Sequence, residues 1–290
     1  MKRSRAFLSL AVGLILVCTC IGEMYSQTKG IVLRYKGNVG DVMRYKSWFR
    51  MRTLGLSNDS PKLRMTFNYE AIHSHRIVSF SPDGILEIEA TRESGKVQRD
   101  GREEDLSSKP HKRIVRMNDR GKVIEEKIIE GEEREDESKF ADPVVLMDEI
   151  HTRAVQNITF PENEITKGTE WTTTLTERIA NANVSVTIRS RVIDITEVDG
   201  HKCAVVDSEI SAPIDLSLKV GEMEIELSGE FKSWTTLYFD YENGIEVLSE
   251  DQLRLAVDQT ASAGGRSFRL KFKVAANAKT VLLNYIKAVK

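Results

Sequence analysis

Cysteine is nearly absent: there are three in 290 residues, and Cys18 and Cys20 both fall inside the first apolar stretch. If that stretch is removed on export, Cys203 is the one thiol left. An internal disulfide is then impossible, and stability must come from the core. An excess of one charge is missing too. Lys and Arg number 42 against 44 Asp and Glu, net −2, which excludes the strongly basic face of a sequence-independent nucleic-acid binder. The chain carries no Gly-x-Ser-x-Gly elbow, no His-Glu-x-x-His, no phosphate loop and no dinucleotide fingerprint. No catalytic residue, cofactor or metal is therefore expected, and the chain is read as a non-enzyme rather than a hydrolase. Hydrophobic content of 40% with 30% charged residues lies in the globular range and excludes wholesale disorder.

Long hydrophobic runs are confined to the start. Lys2, Arg3 and Arg5 precede an uncharged run from Ala6 to Ile21, and Gly22, Glu23 and small or polar residues follow. These are the three regions of an export signal, and the run is shorter than the roughly 20 residues a membrane-spanning helix needs. Residues 1–26 are read as a signal peptide cut after Gly22 or Ser26, which places the protein in the periplasm or outside the cell, with association to an outer membrane left open. A lipid anchor at Cys20 is not expected. Val17-Cys18-Thr19 lacks the Leu, Ala or Ser, then Gly or Ala that precede such a cysteine.

The body, residues 27–290, reads as a single β-rich domain. In Phe268-Arg269-Leu270-Lys271-Phe272-Lys273-Val274 every even residue is apolar and every odd one basic, which puts the apolar side chains on one face of a strand. Met223 to Leu227 and Val184 to Arg189 repeat the pattern with acids and hydroxyls. Such one-sided strands belong to antiparallel sheets with one wet face. The phase slips between Ile188 and Val192-Ile193, which implies a bulge. Pro82-Asp83-Gly84, Asn118-Asp119-Arg120-Gly121, Asp199-Gly200 and Asn243-Gly244 supply hairpin turns. About 11–12 strands result, several of them longer than ten residues. The fold class is mainly β: a long antiparallel curved sheet, as a half-barrel or two packed sheets, with one amphipathic helix.

That helix is expected over 142–155. Asp142 caps it, Pro143 suits the first helical position, and Val144, Met147, Ile150 and Ala154 share a face, with Asp148 and His151 turned to water. The charged stretch Arg99 to Lys139 reads as a solvated loop holding one hairpin, Ile114 to Met117 and Val123-Ile124. Gly40-Asp41-Val42-Met43 and Gly168-Thr169-Glu170-Trp171 each open a long strand followed by an Asp-Gly turn. Two pseudo-repeated halves, about 30–130 and 160–290, joined by the charged segment and the helix, would account for this.

His73 and His75 lie two apart on one strand face, as a metal pair would. The other histidines have no matching spacing, so a plain surface pair is the expectation. Cys203, in His201-Lys202-Cys203-Ala204-Val205-Val206, reads as a small buried strand residue rather than a nucleophile.

Lys36-Gly37-Asn38-Val39-Gly40-Asp41 with Tyr45, Lys167-Gly168-Thr169-Glu170-Trp171, His201 to Val205, and Tyr238-Phe239-Asp240-Tyr241-Glu242-Asn243-Gly244 resemble motifs of a group of uncharacterised secreted bacterial β-proteins. Thr169-Glu170 departs from the Gly-Asp pattern of that group. The architecture is similar to the periplasmic lipoprotein carrier and related lipid-binding lipoproteins, in which a curved antiparallel sheet wraps an apolar groove beneath a helix. The resemblance implies a non-enzymatic envelope protein that binds a lipid or other hydrophobic ligand, with Met147, Ile150, Trp171 and Phe272 as groove residues. The alternative is a structural or interaction module with a filled core and an envelope protein as its partner. Nucleic acid and a stable transmembrane span are not expected as partners.

Overall fold

A computed structural model describes residues 30–57, 63–108, 111–130, 146–147, 150–151, 158–179, 182–264 and 266–288. All but Gly30 and Ile31 belong to one unit, Val32–Lys290. The alternating segments form twelve strands: β1 (Val42–Ser57), β2 (Leu63–Phe80), β3 (Ile85–Arg99), β4 (Arg102–Asp105), β5 (Lys112–Asn118), β6 (Val123–Glu130), β7 (Glu170–Ile179), β8 (Ala182–Val198), β9 (His201–Val220), β10 (Met223–Asp240), β11 (Ile245–Ala263) and β12 (Arg266–Ile286). They make one sheet in the order β6-β5-β3-β2-β1-β12-β11-β10-β9-β8-β7, with β4 on β3. Every pairing is antiparallel. Two meanders therefore meet at a β1·β12 seam, and β6 and β7 are the edges. The curved antiparallel sheet expected from the sequence is what forms. It does not close into a barrel.

Turn chemistry sets the hairpins. Asp199 and Gly200 both adopt positive φ (51° and 81°), as do Asp100 and Gly101 (48° and 83°), the geometry that matches the twist of flanking strands. The bulge anticipated near Val192 lies between Val192 and Asp194. The starts of β1 and β7 share their hydrogen bonding. Gly40 N–H donates to Ile77 O and Ile77 N–H to Asp41 O, while Gly168 N–H donates to Val192 O and Val192 N–H to Thr169 O. The Asp41 carboxylate accepts from Asn38 N–H at 2.8 Å, and the Thr169 hydroxyl accepts from Thr166 N–H at 2.9 Å. Thr169 thus fills the place of the expected aspartate with one oxygen.

The charged stretch departs in part from the sequence expectation, and the described part of the expected helix agrees with it. In the charged stretch the hairpin expected at Ile114 to Met117 and Val123-Ile124 forms, with longer strands over 112–118 and 123–130, but residues 102–105, read as solvated loop, are a further strand. They lie toward one edge of the sheet and bury few side chains, so they carry the polar composition of a loop. Of the expected helix 142–155, Leu146, Met147, Ile150 and His151 are described, and all four are helical; the rest falls outside the described residues.

The larger core lies on one face of β8–β12 and β1, where Ile188, Ile210, Phe231, Leu253, Val274 and Met51 are buried with Leu146, Met147 and Ile150. A smaller cluster gathers Met43, Tyr45, Ile77, Leu86, Met117 and Ile245. Midway along β10, a Cβ at Gly229 would collide with the carbonyl oxygen of Ala256 and lie 2.9 Å from the Val257 Cα. The missing side chain is what lets β10 and β11 approach this closely.

Candidate functional site

The register of the pairings lays inner-face residues out in rows. Leu218, Ile225, Ala261 and Phe268 form one row across β9–β12; Leu216, Leu227, Gln259 and Leu270 form the next; Ala212, Phe231, Leu255, Val274 and Thr53 follow further along. Strands of 16 to 21 residues extend over about 50–70 Å, so the apolar face is long and narrow. Most of it is covered: Leu255 and Val257 are 1–2% exposed. At the tips of β10 and β12 the same face opens. Met223 is 37% exposed and Phe268 54%, and Leu270 is half-buried. Inner-face apolar side chains therefore reach solvent at this end.

The opposite end is stoppered. Phe160 stacks on Tyr35 at 5.6 Å between ring centroids and meets Phe239 edge-on at 4.7 Å, and Phe160 and Phe239 are fully buried. The loop carrying Phe160 is held by Arg120, whose Nε donates to Phe160 O at 2.6 Å, and by Arg34, which donates to the Pro161 and Glu162 carbonyls. Asp240 closes the β10–β11 turn. It accepts hydrogen bonds from Glu242 N–H, Asn243 N–H and Asn243 Nδ2 and bonds His201 Nδ1. Burial pushes its pKa up, but these bonds outweigh burial and leave it low. Asp41 is held in the same way beside β1, by Asn38, Ala288 and the Tyr285 hydroxyl. The Gly-Asp and Phe-Asp motifs are thus hydrogen-bond hubs of the chain turns.

Each groove residue expected from the sequence has a definite place. Met147 and Ile150 are fully buried within the larger core, and Phe272 is buried there too, in a row with Gly229 and Val257. Trp171 is half-buried on edge strand β7, its indole N–H donating to Thr159 O at 3.0 Å. The register puts Trp171 in a row with Ser190, Ser208, Thr235 and Asp251. Met147, Ile150 and Phe272 therefore belong to one apolar cluster, whereas Trp171 heads a polar row at the sheet edge.

That polar row was not anticipated. The Ser190 and Ser208 hydroxyls bond at 2.8 Å, and Thr235 donates to Asp251 at 2.6 Å, all four residues being buried. Burial raises the Asp251 pKa, while His151 and the Thr235 hydroxyl pull it down. His151 is half-buried and within electrostatic reach of the sheet rather than turned fully to water. Glu246 is pushed up to about 7, first by burial, with Ser249 pulling down and Asp251 pushing up. Alternation conceals these groups: at polar positions of the inner face the pattern shows only a gap in the apolar row.

Cys203 is buried and its thiol is pushed up to about 11 by burial, the opposite of an activated nucleophile. Among the described residues no group of three or more His, Cys, Asp or Glu is placed to hold a metal, and no helix is long and apolar enough to cross a membrane.

No family model and no curated protein matches the chain. Among solved structures, a Bacteroides fragilis protein described as exported and of YmcC-like fold aligns over 88% of this chain and 100% of its own, at 12% identity and a TM-score of 0.32. OccK11 (OpdR) of Pseudomonas aeruginosa aligns over 87% and 100% at 6% identity and a TM-score of 0.27. An outer membrane channel of Pseudomonas putida F1 aligns over 86% and 97% at 9% identity and a TM-score of 0.20. At such scores the likenesses establish nothing about what this chain binds.

Proposed function

We propose that this is a non-enzymatic envelope protein that takes an elongated apolar ligand, such as a lipid acyl chain, along the inner face of its sheet. The observation that carries the proposal is the asymmetry of that face: stoppered by Phe160 and Phe239 at one end and exposing Met223 and Phe268 at the other. Exposed apolar side chains continuous with a buried apolar row are what an acyl chain would meet first. The export signal read in residues 1–26 supplies the compartment. The buried, high-pKa Cys203 argues against a thiol nucleophile at that position.

One observation favours a second reading, an interaction module with a filled core. Inner-face residues such as Leu253 and Leu255 are already buried by protein atoms, and a cavity of about 270 Å³ lies among outer-face polar side chains including Asp215, Glu226 and Asp258, while another of about 380 Å³ lies between Trp171 and Trp234 with Arg189, Asp207 and Glu209. Delipidated protein titrated with a fluorescent fatty-acid probe separates the two. A carrier gives saturable uptake, reduced at least several-fold in Met223→Asp/Phe268→Asp without loss of melting temperature. No uptake by the delipidated wild type would overturn the carrier and leave the module.

A further inference from the structure

The inner face of the first meander carries a group of basic side chains that the apolar trough does not use. On β2, His73 and His75 project from the same face as Tyr45 and Met43, their partners on β1. On β3, Arg92 pairs with His73 and Ala90 with His75, and Ala90 in turn pairs with Arg113 on β5. The β2–β3 bulge between Ile72 and His73 restores the phase that puts Arg92 beside His73. His111, just ahead of β5, is drawn in by the hydrogen bond from Arg92 N–H to its carbonyl at 3.0 Å. Tyr69 Oη lies 3.3 Å from His73 Nε2, and the Tyr45 and His75 rings are 5.0 Å apart. His73, His75, Arg92, His111 and Arg113 are all half-buried: partly desolvated, yet reached by solvent.

We propose that His73, His75, Arg92, His111 and Arg113 form a binding site for an oxyanion, a phosphate or carboxylate group. Two guanidiniums supply fixed charge in the planar geometry that suits such oxygens, the His75 and His111 rings supply further donors, and of the hydrogen-bonded pair Tyr69 and His73 one member supplies another. The charges acting on His73 are those of Arg113, Arg92 and His111, and those acting on His75 are Arg113 and His73. His111 feels Arg113 and Arg92, opposed by Glu126. Glu126, from edge strand β6, bonds Arg113 at 2.7 Å; it is the carboxylate that an incoming anion displaces or shares with. Burial first, then these positive neighbours, press His73 down to about 4 and His75 to about 3. At neutral pH the rings are uncharged N–H donors, and the positive field of the site comes from the two arginines. The metal reading of the histidine pair gives way here, because a cation would face two guanidiniums.

Phosphate on a lipid headgroup and free phosphate present the same oxygens, so the test has an arm for each. Ring signals of His73, His75 and His111 are followed by NMR while the intact protein is titrated with inorganic phosphate, with acetate, and with small phosphatidylglycerol or phosphatidylcholine vesicles. Saturable shifts with an oxyanion are expected, together with upward movement of the His73 and His75 titrations, because the bound negative charge offsets the arginines. Shifts with phosphatidylglycerol alone assign a headgroup, and shifts with phosphate or acetate assign a small anion. In Arg92→Gln/Arg113→Gln the response should fall at least tenfold while the melting curve remains cooperative, and Arg113→Lys should retain part of it. The site is refuted if no anion shifts the rings, or if chloride at equal ionic strength shifts them equally. The first result needs no variant to fold.

Discussion

At the residue scale the informative positions are half-buried polar side chains on the inner face. Glu246 is held at about 7 by burial, against 4.5 for an ordinary glutamate. Between those values the folded chain keeps a proton that the unfolded chain has released, so this residue's contribution to stability falls as pH rises from about 4.5 to about 7 and is constant beyond. His73 and His75 act in the opposite sense. Their folded values are depressed, so the unfolded chain binds protons first, and stability is lost as pH falls from about 6.5 toward 4 and 3. In Glu246→Gln the acid contribution disappears while the histidines remain. Urea melts of the variant against wild type should show a gain in stability that grows from pH 4.5 to 7 and then levels. A constant difference across that range would mean Glu246 is ionised throughout.

At the scale of one strand, β12 shows what alternation reveals and what it conceals. Phe268, Leu270, Phe272 and Val274 form one apolar stripe in the sequence, and they do share a face. Their exposures nevertheless run from 54% at Phe268 to 2% at Val274: among the described residues β1 pairs with β12 as far as Leu270, and the tip beyond it is paired with β11. Phe272→Ala should therefore cost about 3–5 kcal/mol, whereas Phe268→Ala should stay within about 0.5 kcal/mol. Denaturant midpoints at unchanged m-value decide this, and equal losses would mean the tip is covered in solution. The period of the pattern was legible, as were the turns at Asp83-Gly84 and Asp199-Gly200 and the bulge after Val192, since each is written within a few residues. Arg92 beside His73, and Trp171 in a row with Asp251, were not legible. They depend on register between strands, which hairpin loops and bulges set and which no local window contains.

At the scale of the molecule, the governing fact is that one sheet forms both meanders and so has one inner face to hide. Two-layer architectures cover such a face with another sheet or with helices. A helix of 14 residues, the length read over 142–155, would reach about 21 Å along strands of about 50–70 Å. The β1·β12 seam that makes the face continuous joins residues more than 200 positions apart and could not be read from either end of the chain. Leu146, Met147 and Ile150 are fully buried in the central cluster, and Met147→Asp/Ile150→Asp tests what they do there. In a permanently filled core two unpaired buried charges cannot be accommodated, and the double variant should lose its cooperative transition. If the helix instead covers a trough that opens for an acyl chain, the segment can lift away and leave the sheet folded. The variant then keeps a cooperative melt at reduced stability, exposes the face to an environment-sensitive dye, and loses fatty-acid uptake. Circular dichroism melts run beside probe titration on the same samples separate the two. An unfolded variant together with a wild type that takes up no probe would exclude the trough, because the carrier requires the opposite of both.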